Sequence, residues 1–304
     1  MTVNVTAGPD PVSPWLLDAI RQGEGKLVPA EDAEVVVWED HDGTGLGETL
    51  ARGAGVRWVQ LPAAGIEWLF ADGVYDPAIT WTCAKGAYAE HVAEHALVLL
   101  LAALRDLRAF LRADHWLPEA GANLYDKRVC IVGGGGIARA LLAVMAPFRV
   151  DVTVVRRTPG GVAGANRTVT TEGLRDAIAD VDAVVLACSL TPATEGLIGE
   201  AELEAMARRA WLVNVARGRL VRTPDLVRAL EERWIAGAAL DVTEPEPLPQ
   251  GHRLWSLDNC LITPHVANSI GMSAGPLAER VSDNLRRFAE GRPLLGLVDV
   301  TGGY

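Results

Sequence analysis

The chain lacks several things that whole classes of function require. It has no surplus of basic charge. Asp and Glu number 39 against 28 Lys and Arg, a formal net charge of −11 over 304 residues. Such a balance argues against general binding to nucleic acid or anionic membranes, and any local basic cluster must then serve something small and anionic. It has no long apolar run: the longest, from Ala96 to Leu104, is about half a membrane span. The opening MTVNVTAGPD has no basic stretch ahead of an apolar one, so no secretory leader is expected. Only four cysteines occur, without CxxC spacing, and three sit in apolar runs. Buried, reduced thiols and a cytoplasmic location are the expectation. Repeats and low-complexity tracts are lacking too.

What is present is ample core material, 49% hydrophobic, and a length that favours two domains. Short β-rich runs recur along the chain: VVVW (35–38), VRWVQL (56–61), ITWTC (79–83), RVCIV (128–132), VTVV (152–155), AVVLAC (183–188), WLVNVA (211–216), AGAAL (236–240) and NCLIT (259–263). Most lack alternation, as in parallel strands covered on both faces. Helical patterns intervene, among them LLAVMA after residue 140, ELEAMARRA (202–210) and TPDLVRALEER (223–233). In the last, Thr223 is the expected N-cap and Pro224 the first helical residue. A long helical stretch near 89–113 separates two sets of strands, and 275–291 reads as a helix closed by Gly291. The βαβ rhythm predicts an α/β protein with two doubly wound parallel-sheet domains and a cleft between them.

Between RVCIV and its helix lies GGGGIA, reading Gly133-x-Gly135-x-x-Ala138. The first glycine permits the tight turn, the second lets a pyrophosphate approach the backbone, and the small third residue lets helix and strand pack closely. The helix N-terminus then offers N–H groups to phosphate. This predicts a Rossmann dinucleotide site. The acidic residue that holds the NAD ribose at the end of the next strand is missing. Arg156 stands there, followed by Arg157 and Thr158, a set that suits the 2′-phosphate of NADP(H), with NAD(H) as the alternative.

Further on, LVNVARGRLV places Arg217 just after a strand, LDVTEPEPLP places Asp241 at a strand end and Glu246 in a proline-stiffened loop, and LITPHVA places His265 at another strand end. With LTPATEGLI (190–198) these stretches occur in one order, and the chain resembles the D-isomer-specific 2-hydroxyacid dehydrogenases, the group that contains glyoxylate/hydroxypyruvate reductases. Weaker likeness in VRWVQLPAAGIEWL and YAEHVAEHALVLLLA extends the resemblance over nearly the whole chain. It implies a flavodoxin-like substrate domain, 1–98 with 287–304, and a Rossmann domain, 99–286. It implies a catalytic triad of Arg217, Glu246 and His265. Backbone N–H groups of Ala64 and Gly65 would bind the substrate carboxylate. Gly133, Gly135, Gly136, Ile137, Arg156, Arg157, Thr158, Ser189, Thr194, Val215 and Ala216 would line the cofactor site, with Asp241 near the nicotinamide amide.

The residue types suit reduction of a 2-keto acid. Histidine titrates near neutrality and can give a proton to the carbonyl oxygen. A hydrogen-bonded glutamate favours imidazolium, and a guanidinium can hold a carboxylate and polarise a carbonyl. A small 2-keto or 2-hydroxy acid is the expected substrate, with closure of the two domains excluding water and neither nucleic acid nor membrane as partner. A homodimer is expected by family resemblance alone, through the region around Trp116. Three positions depart from the family's usual residues: Ser189 stands for proline, Cys83 for asparagine and Glu67 for aspartate. HVAEH (91–95) formally matches a zinc-peptidase signature, but its helix continues into an apolar run, and no metal is expected. A nucleotide-sensing protein without catalysis is the weaker alternative.

Overall fold

The computed structural model describes residues 2–71 and 73–300. Residues 1, 72 and 301–304, which include both ends of the expected substrate domain, lie outside the described residues. The chain forms two compact units, Met1–Tyr88 with Ser269–Tyr304, and Ala89–Asn268. The expected breaks at 98/99 and 286/287 fall inside helices, Ala89–Leu104 and Ile270–Ala289, so the division lies at the helix starts.

The first unit runs β1 (Val3–Gly8), α1 (Pro14–Gln22), β2 (Gly25–Leu27), β3 (Val35–Trp38), α2 (Leu46–Arg52), β4 (Trp58–Gln60), α3 (Glu67–Ala71) and β5 (Thr80–Thr82). All strand pairs are parallel, in the order β2-β1-β3-β4-β5. That is the 2-1-3-4-5 order of flavodoxin-like folds. β3 and β4 are buried at every position, as strands covered on both faces must be.

The second unit begins with α4 (Ala89–Leu104) and α5 (Leu107–Arg112). The single long helix expected here is interrupted at Asp106, which takes a left-handed φ of 52°. There follow β6 (Arg128–Val132), α6 (Gly136–Met145), β7 (Asp151–Val155), β8 (Arg167–Val169), α7 (Leu174–Ile178), β9 (Ala183–Leu186), α8 (Glu200–Ala205), β10 (Trp211–Asn214), α9 (Thr223–Glu231), β11 (Gly237–Leu240), α10 (Arg253–Ser256) and β12 (Cys260–Ile262). These seven strands are again all parallel, in the order β12-β11-β10-β9-β6-β7-β8. Counting from β6, the order is 3-2-1-4-5-6-7, the Rossmann arrangement. Alternation along β6 shows the double winding. Val129 and Ile131 join the core under α4 and α6, whereas Cys130 and Val132 join the core on the opposite face. In α6, Ala138, Leu141, Leu142 and Met145 are buried, the spacing of one helix face.

α11 (Ile270–Ala289) returns the chain to the first unit, longer at its start than the expected 275–291. Gly291 follows it at φ 67°, its N–H on the Phe288 carbonyl. A buried polar network ties the helix to the sheet. Asn284 Nδ2 donates to Gln60 Oε1 at 2.9 Å, Thr82 donates to the same oxygen at 2.9 Å, and Leu295 N–H donates to Asn284 Oδ1 at 2.8 Å. The four cysteines are free, three of them buried. Trp58 and Trp81 are core, whereas Trp255 and Trp116 are exposed, Trp116 at 97%.

Candidate active site

Parallel strands bring every carboxyl end to one edge of a sheet. In the second unit that edge carries, in chain order, Gly133 after β6, Arg156 after β7, Ser189 beyond β9, Arg217 after β10, Asp241 after β11 and His265 beyond β12. Residues far apart in sequence are thereby gathered along one border of the sheet.

The glycine turn is built as its sequence requires. Gly133 has φ 120°, and a Cβ there would lie 2.4 Å from the Ala187 carbonyl oxygen, inside contact with backbone. Its N–H donates to Val155 O at 2.7 Å, joining the turn to the end of β7. A Cβ at Gly135 would meet nothing within 4 Å. Open space thus fronts the exposed N-terminus of α6, where Gly136 and half-buried Ile137 begin the helix and Ala138 is fully buried. A cradle with that opening and those free helix-end N–H groups fits a pyrophosphate. The Arg156 side chain lies over Gly134, its Cβ, Cδ and Nε each 3.3 Å from where a Cβ would sit. Its guanidinium donates to Thr158 Oγ1 at 2.9 Å. Arg157 follows, exposed. Thr194 donates to the Ser189 carbonyl at 2.8 Å and closes the loop beyond β9. Val215 and Ala216, the first two residues of the loop after β10, are buried.

The loops carrying the three candidate catalytic residues interlock. Asn214 clamps the turn holding Arg217: its amide donates to Arg217 O at 2.9 Å and its oxygen accepts from Ala216 N at 3.0 Å. Gly218 then passes so close to the next loop that a Cβ would lie 1.9 Å from Thr243 O. Thr223, expected as a helix cap, is the first residue of α9, and its hydroxyl donates to Glu244 O at 2.7 Å. These contacts bring Arg217 and Glu246 together.

His265 Nδ1 meets Glu246 Oε1 at 2.5 Å, with both side chains partly exposed. The hydrogen bond from His265 is the main reason the Glu246 carboxyl lies below its ordinary value, against the opposing effect of burial. The same bond raises the His265 pKa, again against burial, while the nearby Arg217 charge pulls it back. His265 itself sits at φ 51°, a left-handed conformation rare for a residue with a side chain.

Asp241 is 2% exposed. Burial alone would raise its carboxyl. Hydrogen bonds from His95, Thr263 and the N–H groups of Val266 and Ala267 outweigh that and hold it at about 2. Thr263 donates at 2.6 Å, Val266 and Ala267 at 2.9 Å each. Its carboxylate is thus occupied by the segment that carries His265. Asn214 and Gly218 were not singled out by sequence reasoning, and His95 was noticed only within the HVAEH pattern. Asn214 and Gly218 bracket the NVARG motif, which is the one signal that points to them.

Ala64 and Gly65 lie in the first unit, in the loop between β4 and α3. That loop is pinned by the Tyr88 hydroxyl donating to Pro62 O at 2.7 Å and by Ala84 N–H donating to Ala63 O at 3.0 Å. Ala64 is exposed and Gly65 half-buried.

Residues 96–267 match the family model of the D-isomer specific 2-hydroxyacid dehydrogenase NAD-binding domain. This chain belongs to the D-isomer specific 2-hydroxyacid dehydrogenase family. Like other D-isomer specific 2-hydroxyacid dehydrogenases it is an oxidoreductase with a site for a nicotinamide cofactor. It is 40% identical over 255 residues to an uncharacterized protein in the proB 3′ region of Corynebacterium melassecola, covering 82% of this chain and 84% of that one. It is 32% identical over 253 residues to the human glyoxylate reductase/hydroxypyruvate reductase, covering 80% and 77%. A D-isomer specific 2-hydroxyacid dehydrogenase from Xanthobacter autotrophicus Py2, solved with NADPH and MES, superposes over the full length of both chains with a TM-score of 0.86 at 28% identity. No helix among the described residues is long and apolar enough to cross a membrane.

Proposed function

We propose that the protein is an NADPH-preferring reductase of small 2-keto acids of the glyoxylate and hydroxypyruvate type, forming D-2-hydroxy acids. The observation that carries this reading is the 2.5 Å contact between His265 and Glu246 at the edge where Arg217 is also presented. When bound, the nicotinamide cofactor supplies the hydride. His265, kept protonated by Glu246, gives its proton to the carbonyl oxygen. Arg217 holds the substrate carboxylate and polarises the carbonyl. Its charge beside His265 also keeps the ring from becoming too weak an acid. Ala64 and Gly65, with backbone N–H groups suited to a carboxylate, belong to the unit Met1–Tyr88 with Ser269–Tyr304, which serves as the substrate domain.

Preference for NADPH rests on Arg156, which occupies the strand-end position over the glycine turn, with Thr158 beside it and no carboxylate to receive a ribose hydroxyl. Gly133, Gly135, Gly136 and Ile137 receive the pyrophosphate, while Ser189, Thr194, Val215 and Ala216 line the site further along the edge. Asp241 acts beneath the nicotinamide end, as the buried anchor of the His265 segment. A cytoplasmic location is supported by four free thiols. A homodimer is supported by the exposed Leu111 and Trp116, at 77% and 97%.

A panel of 2-keto acids assayed with NADPH and NADH tests the reading. Turnover of glyoxylate or hydroxypyruvate with a lower KM for NADPH is expected. Replacing Arg156 and Arg157 with neutral residues should raise the KM for NADPH at least about tenfold, the loss of roughly one charge-assisted contact, with little change for NADH. Equal effects on the two cofactors would make the arginines ordinary surface residues, and no turnover of any 2-keto acid would defeat the enzymatic reading.

A further inference from the structure

The HVAEH motif has no part in the reaction as described above, yet its two histidines are not idle surface residues. α4 is anchored by Ala93, Ala96, Leu99, Leu100 and Ala103, which pack into the core of the seven-stranded sheet beside Val185, Val213 and Ala239. His91 and His95, four apart, therefore project from one face of a fixed helix. His95 Nε2 lies 3.0 Å from Thr263 Oγ1 and 3.2 Å from Asp241 Oδ1. The Thr263 hydroxyl already gives its proton to Asp241 at 2.6 Å, so its oxygen is left to accept and Nε2 must carry the proton it donates. His91 Nδ1 meets Asn268 Oδ1 at 3.0 Å. The two histidines thus take hold of both ends of the 263–268 segment. Between those ends His265 sits in its left-handed conformation, its own N–H on Asp241 O at 2.8 Å.

We infer that His95 is a positioning residue for the proton donor, acting through Asp241 and Thr263, with His91 bracing the far end of the same segment. A left-handed non-glycine residue persists only where its surroundings over-determine it. Here the Asp241 carboxylate does so by accepting from the Thr263 hydroxyl and from the N–H groups on the carboxyl side of His265. A buried carboxylate with that many duties needs every donor it has. His95 is the donor that comes from outside the segment, so it ties the segment to the scaffold. Losing it would let His265 drift from Glu246, and displacements near 1 Å cost about 100-fold in rate.

This rests on His265 being the proton donor, and the test separates the two claims. His265 is titrated by NMR in ring-labelled protein, alongside kcat, KM and the pH profile for glyoxylate reduction. Within this unit the charged or titratable groups facing the segment are Glu246, Arg217 and Asp241, and His91 and His95 from α4. His95→Leu should lower kcat about 10- to 100-fold, leave the KM for NADPH nearly unchanged, and move the His265 titration to lower pH as its bond to Glu246 loosens. His95→Gln, which keeps an N–H donor, should recover most of both. Thr263→Val should behave as His95→Leu does, and it decides the matter if His95→Leu does not fold. A folded His95→Leu protein with unchanged His265 titration and unchanged kcat overturns the inference, as does a Gln variant no better than Leu. If the wild-type protein reduces no 2-keto acid, the proton-donor reading falls, while the His265 titration still decides whether His95 positions that ring.

Discussion

At the scale of single residues, the pair His265 and Glu246 is proposed to decide how the protein responds to pH. The Glu246 hydrogen bond raises the His265 pKa, against burial. In the proposed mechanism reduction uses the protonated ring, so its rate should be full below that raised value and fall as pH climbs through it. Glu246→Gln removes the main cause and should draw the falling limb to lower pH, measured as kcat against pH with glyoxylate. A large loss of rate with an unmoved limb would mean that Glu246 does something other than hold the proton. His265→Ala should lower kcat by about 10²- to 10⁴-fold, the worth of a general acid, and leave NADPH binding almost intact in a fluorescence titration. Both residues were legible in the sequence because TPH and EPEPLP are short, local and chemically specific. Gly218 was legible only as part of a motif. The reason it must be glycine, 1.9 Å to the Thr243 oxygen for any Cβ, depends on a loop 25 residues later. Gly218→Ala should therefore disturb Arg217 and Glu246 together, seen as lost turnover with NADPH still bound.

At the scale of elements, the segment after β12 is held by a carboxylate from the end of β11. Asp241 is depressed to about 2 from an ordinary 3.8, since its donors outweigh the burial that would raise it. A depressed acid contributes stability that is complete above the ordinary value and is lost as pH falls through 3.8 toward 2. The contribution is on the order of 2 kcal/mol. Asp241→Ala would strand the N–H groups of Val266 and Ala267 and the Thr263 hydroxyl, and should cost about 3 kcal/mol at neutral pH. Urea unfolding of the wild type and the variant at pH 7 and pH 3 measures both effects, and the gap between them should narrow at the lower pH. The sequence placed Asp241 at a strand end, which is correct, but strand-end position alone does not distinguish a ligand-facing carboxylate from a buried one. Thr223 is a similar case: its position next to Pro224 reads as a helix cap, while its hydroxyl serves the Glu244 loop.

At the scale of the whole molecule, the chain leaves the first unit after Tyr88 and returns to it at Ser269. Asn284 supports that return, being fully buried and bonded to Gln60 and Leu295. Asn284→Leu leaves the Leu295 N–H and carbonyl without their partner and removes one of two donors to Gln60 Oε1, and should destabilise by about 2–3 kcal/mol, read from chemical denaturation. Unchanged stability would mean that apolar packing alone holds α11. Leu111 and Trp116 are exposed and are proposed to bear on assembly: replacing both with glutamate should turn a dimer into monomers in sedimentation velocity, and a wild-type protein that sediments as a monomer refutes the expected dimer.

The sequence by itself determined the fold class, the glycine turn, the positive charge after β7 and which three residues are proposed as the triad. Each of these is local, written in the period of a strand, the freedom of a glycine or the chemistry of a few neighbouring side chains. Only the tertiary structure decided where the units divide, which carboxylate is buried, and what the HVAEH histidines touch. Those depend on pairs such as His95 with Thr263, separated by 168 residues. No periodicity along the chain reports such a pair, because packing a helix on the sheet and pairing parallel strands side by side bring residues together irrespective of the length of chain between them.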